Sequence, residues 1–295
     1  MQKYKIIILI LILLAFAAGF YLKDNILDIY NKFYSDFSKN LQKFEKTDLG
    51  NIIDEIKKEV LNPPPLNIGG SSNNVVLTKE KVIAQTNIQR YDNGLLPPLI
   101  DNIKLDAAAK AKAEDMFLNQ YFEHVSPFGI DPGKLVKSFG YDYIVSGENL
   151  ILGNFKSEQE VVQDWMNSPG HKANILNNRF VDIGVAIVKG TYKGQAAWIG
   201  VQEFGLPLSA CSQPGVSLKK QIDSNKSILD QLTVQIDAKR AEIDNTNPKS
   251  SQYNSLVNEY NQLIAEYNPL VEETKNLIAQ YNNQINTFNQ CVAGA

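Results

Sequence analysis

Histidine and cysteine are scarce in this chain of 295 residues, which contains two of each. Two cysteines exclude a small scaffold dense in disulfides and also a cysteine-rich zinc finger. Any site that needs an imidazole must be built from His124, His171 or both. Positive and negative charges nearly balance, because 29 basic and 32 acidic residues leave a net charge of only −3. Nucleic acid is therefore not an expected partner, since phosphate binding needs clustered lysine and arginine.

Apolar residues make up 44% of the chain and charged residues 21%, which is the composition of a folded protein rather than a disordered one. The length is enough for roughly two domains of about 150 residues each. The chain is therefore expected to fold into more than one part.

A long apolar run occurs near the N-terminus, at residues 6–22. Its 17 uncharged residues are close to the shortest helix that can span a bilayer. Two lysines precede it and favour a cytoplasmic location for residues 1–5, with the remainder exported. This pattern predicts a retained single-pass anchor with an extracytoplasmic functional part. The alternative is a cleaved signal peptide and a secreted protein, because Ala-Phe-Ala at residues 15–17 resembles a cleavage site.

Apolar residues continue at three- and four-residue spacing after this run: Ile26, Tyr30, Phe33, Phe37, Leu41 and Phe44. The spacing predicts an amphipathic helical stalk over residues 23–62. Three consecutive prolines at residues 63–65 cannot continue a helix. Glycine, serine and asparagine follow them, so residues 63–74 are expected to be a flexible linker.

A seven-residue repeat dominates the C-terminal part, residues 208–295. Its apolar positions include Ile222, Leu229, Ile236 and Ile243, then Tyr253, Tyr260 and Tyr267. Such heptads predict a coiled coil, and the break at residues 244–248 predicts a turn. The tail is expected to be an antiparallel coiled-coil hairpin with helices of roughly 30 and 40 residues, the second kinked at Pro269.

The two cysteines lie at the two ends of this hairpin. A chain that folds back near residue 248 brings Cys211 and Cys291 together, so a disulfide is predicted for an oxidising compartment. Two unrelated exposed thiols are the alternative. The tail is also a candidate surface for self-association or for contact with an envelope protein.

The central segment, residues 75–207, contains a mixture of helical and strand patterns. Helices are predicted at residues 78–91, 102–119 and 132–139, and Ser157 opens a further helix through a capping box. Alternating apolar residues at 181–189 and 195–204 predict a β-hairpin. Helices followed by strands indicate an α+β domain.

Seven different short motifs follow one another along this segment. They are Asn87 and Arg90, Gly94 to Pro97, Tyr121 to Pro127, Gly147 to Asn149, Trp165 to Leu176, Ile183 to Val185, and Phe204 to Gly205. Together they resemble the bacterial branch of the CAP superfamily, also called the SCP family of cysteine-rich secretory, antigen 5 and pathogenesis-related proteins. The resemblance covers less than half of the chain. It implies a three-layer α-β-α sandwich with one open cleft.

In this family the cleft holds two histidines and two acids, which in some members bind a divalent metal. The resemblance places His124, Glu148 and His171 in three of these positions. The expected position of the second acid is occupied by Asn167 and Ser168. Glu203 and Asp164 are the candidates to replace it, and the sequence assigns neither.

The residue types support a polar site on chemical grounds as well, and both histidines lie in motifs with glycine and proline that predict loops. Two imidazoles and a carboxylate suit Zn²⁺, and the same groups can transfer protons. Ser126 is either a nucleophile near His124 or part of a turn, and Glu148 is either a site residue or a loop anchor. The residues expected to contact a ligand are His124, Ser126, Glu148, Asn149 and His171.

Three functions follow from these patterns. The preferred one is a membrane-anchored module whose cleft binds a small molecule, lipid or peptide at the cell envelope. The second is a metal-dependent hydrolase with His124, Glu148 and His171 as catalytic or zinc-binding residues. The third is a non-catalytic envelope scaffold that acts through the tail. The missing second acid favours binding over catalysis.

Overall fold

The computed structural model describes residues 58–70 and 75–294. The predicted cytoplasmic residues 1–5, the predicted anchor at 6–22 and most of the predicted stalk lie outside the described residues. Among the helices within the described ranges, none combines the length and apolar character that crossing a membrane requires.

The described part begins with two short strands and continues as alternating helices and strands. In chain order these are β1 Glu59–Leu61, β2 Leu66–Gly69, α1 Lys79–Gly94, β3 Ile100–Asp101, α2 Ile103–Asn119, α3 Pro132–Ser138, β4 Tyr143–Gly153, α4 Glu158–Asn167, α5 Pro169–Ile175, β5 Asp182–Tyr192, β6 Gln195–Pro207, α6 Val216–Asp244 and α7 Ser251–Gly294.

The strands form one mixed six-stranded sheet in the order β1-β4-β6-β5-β3, with β2 also paired to β4. Among the three long strands, the central β6 is antiparallel to both β4 and β5. The short strands β1 and β2 run parallel to β4, and β3 runs parallel to β5. Strand β4 therefore has β6 on one side and the two short N-terminal strands on the other.

Helices cover both faces of the sheet, as expected for an α-β-α arrangement. On one face, α2 lies directly against β5, because a Cβ atom at Gly184 would collide with the backbone of Leu105. On the other face, Trp165 of α4 lies over Gly200 of β6. The apolar cluster under α2 consists of Ala109, Ala113, Met116, Leu150, Leu152, Ala186, Ala197, Ile199 and Val201.

Most sequence-predicted elements of this domain are confirmed. The helices predicted at residues 78–91, 102–119 and 132–139 and the β-hairpin are present. Ser157 caps α4 by accepting a hydrogen bond from the backbone N–H of Glu160 at 3.2 Å.

Three predictions of local structure are wrong. The stalk helix does not extend to residue 62, because residues 59–61 pair with β4 as strand β1. Residues 66–69 of the predicted flexible linker form β2, which also pairs with β4. His171 lies in helix α5 and not in a loop. In the first two cases, pairing with an exposed strand edge overrides the local sequence preference.

The tail is a helical hairpin with α6 and α7 packed against each other, joined by residues 245–250. Its buried side chains are Ile222, Leu229, Leu232, Ile236, Leu256, Tyr267, Val271, Thr274, Tyr281, Ile285 and Phe288. The predicted disulfide between Cys211 and Cys291 is confirmed. Pro269 lies inside α7. The coiled-coil geometry of the hairpin stays a prediction.

Substitution of Gly184 by alanine should reduce the free energy of unfolding by about 3 kcal/mol or more, because the new methyl group meets helix backbone that cannot rotate away. The matched control is Gly190→Ala in the same strand, where the methyl group lies 2.9 Å from the ring of Phe117 and a side-chain rotation relieves the contact. Urea denaturation measures both variants. A loss for Gly190→Ala as large as that for Gly184→Ala would contradict this account of the packing.

Replacing both Cys211 and Cys291 by serine should lower the stability of the tail by about 4 kcal/mol, the loop-entropy value for a closed loop of this length. Thermal unfolding followed by circular dichroism at 222 nm measures the loss. Reduction of the unmodified chain by dithiothreitol is the control, and the reduced chain should have the same melting temperature as the double serine variant. An unchanged melting temperature in both experiments would show that the disulfide does not stabilise the hairpin.

Candidate functional site

His124 and Glu148 meet at the edge of β4 that faces away from β6, and His171 lies near His124. The loop between α2 and α3 supplies His124, and α5 supplies His171 from the opposite face of the sheet. Glu148 lies in the middle of β4, whose residues are all buried. The chain between β1 and β2, which contains Pro63, passes across this edge.

His124 is held by two hydrogen-bonding contacts at opposite nitrogens of its ring. Its Nδ1 lies 2.6 Å from Oε1 of Glu148, and its Nε2 lies 2.5 Å from the carbonyl oxygen of Pro63. A carbonyl oxygen only accepts, so Nε2 carries a hydrogen and donates it. The side chain of His124 is 12% exposed and that of Glu148 is completely buried. The buried carboxyl group thus orients the imidazole, whose other nitrogen points at a carbonyl group.

Glu203 adds a second buried carboxyl group to the site. It is the cross-strand partner of Glu148 in β6, and both residues have no exposed surface. Within the described residues, neither oxygen of Glu203 has a donor partner. Burial raises the pKa of Glu203, and the neighbouring Glu148 raises it further. A protonated Glu203 supplies its own donor, which Glu148 can accept.

Lys112 is the cation of the site, and the sequence patterns did not identify it. It lies in α2 and is 3% exposed. Its ammonium group donates to the carbonyl oxygen of His124 at 2.7 Å and to the hydroxyl of Tyr121 at 3.3 Å. Burial lowers the pKa of Lys112, and the charge of Glu148 opposes that effect. A lysine on an Ala-rich helix has no sequence signal that separates it from the exposed lysines around it.

His171 is neutral at pH 7 in this environment. Burial is the main cause that lowers its pKa to about 4, and the nearby His124 acts in the same direction. Its Nδ1 lies 2.8 Å from the hydroxyl oxygen of Ser168, one of the two residues at the position of the missing acid.

Three further residues of the motifs have positioning roles. Asn149 donates to the carbonyl oxygen of His171 and to the side chain of Gln202, both at 3.1 Å, and so ties α5 to β4 and β6. Asn174 donates to the carbonyl oxygen of Leu61 at 3.0 Å. The hydroxyl of Ser126 accepts from the backbone N–H groups of residues 128 and 130, which supports the turn alternative over the nucleophile.

The predicted zinc site does not fit this arrangement. Among residues 58–70 and 75–294, no three His, Cys, Asp or Glu side chains come together in a group that could hold a metal ion. Both ring nitrogens of His124 are already engaged, by Glu148 and by Pro63. Here His124 and Glu148 are joined by a hydrogen bond, and the ring of His171 contacts Ser168 instead.

The model of the CAP family, described as the cysteine-rich secretory protein family, matches residues 89–204. This segment is a CAP domain. The match includes His124, Glu148, His171 and Glu203 and excludes the two N-terminal strands and the tail.

Two curated proteins from Bacillus subtilis (strain 168) are similar to part of this chain. The chain is 45% identical to the uncharacterized protein YkwD over 111 residues, which cover 38% of this chain and 42% of YkwD. It is 29% identical to the uncharacterized membrane protein YlbC over 116 residues, which cover 39% of this chain and 33% of YlbC. The chain therefore spans less than half the length of either relative.

One similar solved structure is an extracellular protein containing an SCP domain from Bacillus anthracis. It is 28% identical and superposes with a TM-score of 0.37, over 43% of this chain and 39% of that protein.

The variant Glu203→Gln should change how stability depends on pH. A group with a raised folded pKa is protonated in the folded chain, so its contribution is full below about pH 4.5 and is lost as pH rises through the folded value. Between those two values the unmodified chain should lose up to about 1.4 kcal/mol of unfolding free energy per pH unit relative to the variant, because glutamine does not titrate.

Urea denaturation from pH 4 to pH 9 measures this difference. Glu123→Gln is the matched control, because Glu123 is exposed on the loop of His124 and its replacement changes the net charge equally. A constant stability difference between Glu203→Gln and the unmodified chain at every pH would show that Glu203 is not protonated in the folded state.

Proposed function

We propose that this chain is an extracytoplasmic binding module, held at the membrane by residues 6–22, whose CAP domain binds a ligand of the cell envelope at the edge of β4. The ligand class predicted from the sequence is a small molecule, a lipid or a peptide. What these classes share is an oxygen acceptor that His124 can contact.

The observation that carries this proposal is the orientation of His124. Its imidazole is supported from behind by a buried carboxyl group, and its outer nitrogen is directed at a carbonyl oxygen 2.5 Å away. A donor fixed in this way needs little reordering when it binds an acceptor, which is the property of a preorganised binding group. Lys112 supplies positive charge near Glu148 behind it, and the raised pKa of Glu203 favours a neutral group beside Glu148.

Anchoring and location belong to the proposal as well. The uncharged run at residues 6–22 and the lysines before it favour a single-pass anchor with the CAP domain outside. YlbC, one of the relatives, is named a membrane protein. The disulfide agrees with an oxidising compartment. A secreted form after cleavage of a signal peptide is the alternative.

The other two predicted functions differ in their support. The metal-dependent hydrolase loses its ligand set in this arrangement, so no hydrolytic step is assigned to these residues. The scaffold function depends on the tail, where a supercoiled pairing with a second copy or an envelope protein stays a prediction.

Binding should be visible at the imidazole of His124. Two probes at millimolar concentration represent two ligand classes: dihexanoyl phosphatidylglycerol for lipids and acetyl-trialanine amide for peptides. We expect at least one of them to shift the ¹⁵N resonance of His124 Nε2, because the ligand's oxygen replaces or disturbs the contact to Pro63.

The control is Gln252→Ala, a change at an exposed position of α7 in the tail, which should leave the response unchanged. If neither probe shifts the His124 resonance in the unmodified chain, the proposal that this site binds either of these two ligand classes is contradicted.

A further inference from the structure

Residues 59–69 cross the site as two short strands joined by a proline-containing segment, here called the strap. None of its residues is buried, whereas every residue of β4 beneath it is. The strap contributes one side chain, that of the half-buried Val60, to the edge of an apolar cluster formed by Leu105, Ala108, Val136, Tyr141 and Tyr143. It is held by contacts along its main chain and by a few contacts at its surface.

Main-chain carbonyl groups along the strap are bound by donors of the CAP domain. Asn174 donates its side-chain amide to the carbonyl of Leu61 at 3.0 Å, and His124 donates to that of Pro63 at 2.5 Å. The backbone N–H of Asn154 donates to the carbonyl of Gly69 at 2.8 Å. Pairing with β4 in parallel register completes this recognition, from Glu59 to Gly69.

The proline-containing segment of the strap offers backbone hydrogen-bond acceptors but few hydrogen-bond donors. Residues 63–65 are prolines, which have carbonyl groups but no backbone N–H. The two side chains that bind this part of the strap, those of His124 and Asn174, act there as donors. Prolines also favour an extended conformation before binding, which lowers the entropy cost of binding.

The CAP domain also fits the shape of the strap. A Cβ atom on Gly170 would lie 2.6 Å from Cβ of Pro63, so the missing side chain of Gly170 makes room for the proline ring. At the start of the strap, Glu59 forms an ion pair with Arg179 at 2.6 Å. The ion pair lies at the start of the strap, and the contact with Gly170 lies at Pro63, the residue whose carbonyl group His124 binds.

We propose that the edge of β4 is a peptide-binding groove, that its ligand is an extended proline-containing peptide, and that the strap is the chain's own occupant of this groove. The inference rests on the proposed function and names the ligand class of the same site. Peptide addition to an exposed strand edge is an established mode of recognition, in which main-chain hydrogen bonds supply affinity. A peptide from another chain binds here by displacing the strap.

A tethered occupant competes strongly with a free peptide. A short linker keeps its segment at an effective concentration of millimolar order. The apparent affinity for an added peptide is the affinity of the open groove multiplied by the fraction of molecules in which the groove is open. The unmodified chain should therefore bind an added peptide weakly, and a variant that releases the strap should bind it tightly.

The variant Gly170→Ala is designed to release the strap in the full chain. The new methyl group occupies the space of Pro63, and alanine is a better helix former than glycine at this position in α5. Two fluorescent synthetic peptides serve as probes: the strap sequence, residues 58–70, and the same peptide with glycine in place of Pro63. The glycine peptide lacks the ring that collides with Ala at position 170.

Two measurements are made on each variant. Hydrogen exchange at the backbone N–H of Asn154 reports whether the strap is docked, and fluorescence anisotropy reports the dissociation constant of each peptide. We expect at least tenfold faster exchange in Gly170→Ala. We also expect the glycine peptide to bind Gly170→Ala at least tenfold more tightly than it binds the unmodified chain.

The matched control is the double variant Pro63→Gly with Gly170→Ala, in which the strap fits again. Its exchange rate and its affinity for the glycine peptide should return to those of the unmodified chain. Glu59→Arg is a second way to release the strap, because it places two arginines against each other, and it changes no buried residue. It keeps the test decisive if Gly170→Ala does not fold.

Two results would overturn the inference. Slow exchange at Asn154 in both releasing variants would show that the strap is a permanent part of the sheet. Fast exchange without binding of either peptide would show that the groove does not take peptides. A response of His124 to the phosphatidylglycerol probe in that case would retain the proposed binding function and assign it to a lipid.

Discussion

The carboxyl group of Glu148 is the constraint on which this site depends. It lies at the centre of a strand that is buried on both faces, where an unpaired charge is strongly unfavourable. One of its oxygens contacts the imidazole of His124, Glu203 with its raised pKa lies opposite in β6, and Lys112 supplies positive charge nearby. The loop of His124 is in turn held by Lys112 through its own carbonyl group. Fixing one buried acid thus fixes the direction of the donor that faces the carbonyl group of Pro63.

The sequence was sufficient for the elements whose patterns are local. Helical spacing located α1 and α2, a capping box located the start of α4, and heptads located the hairpin that the disulfide closes. The resemblance to the CAP family, which rests on the order of the motifs, singled out His124, Glu148 and His171 as candidate site residues. These features depend on neighbours in the sequence, and a single sequence contains that information.

Features that depend on distant pairing were missed. Strand β4 contains Ser146, Glu148 and Asn149 between apolar residues, so its burial on both faces left no alternating pattern. In the sequence, the residues of β1 resemble the end of a helix and those of β2 resemble a linker. They form strands because they pair with the edge of β4. Lys112 and Glu203 enter the site through the packing of α2 and the register of β6, neither of which a sequence pattern reveals.

The disulfide has a consequence for how this chain is broken down outside a reducing compartment. Cys211 and Cys291 enclose both helices of the hairpin and the exposed turn between them. A protease that cuts once at that turn leaves both products covalently joined, so the tail keeps its connection to the CAP domain after cleavage. Release of the distal helix requires either a reductant or a second cut before residue 291. The hairpin can therefore be nicked without being shed.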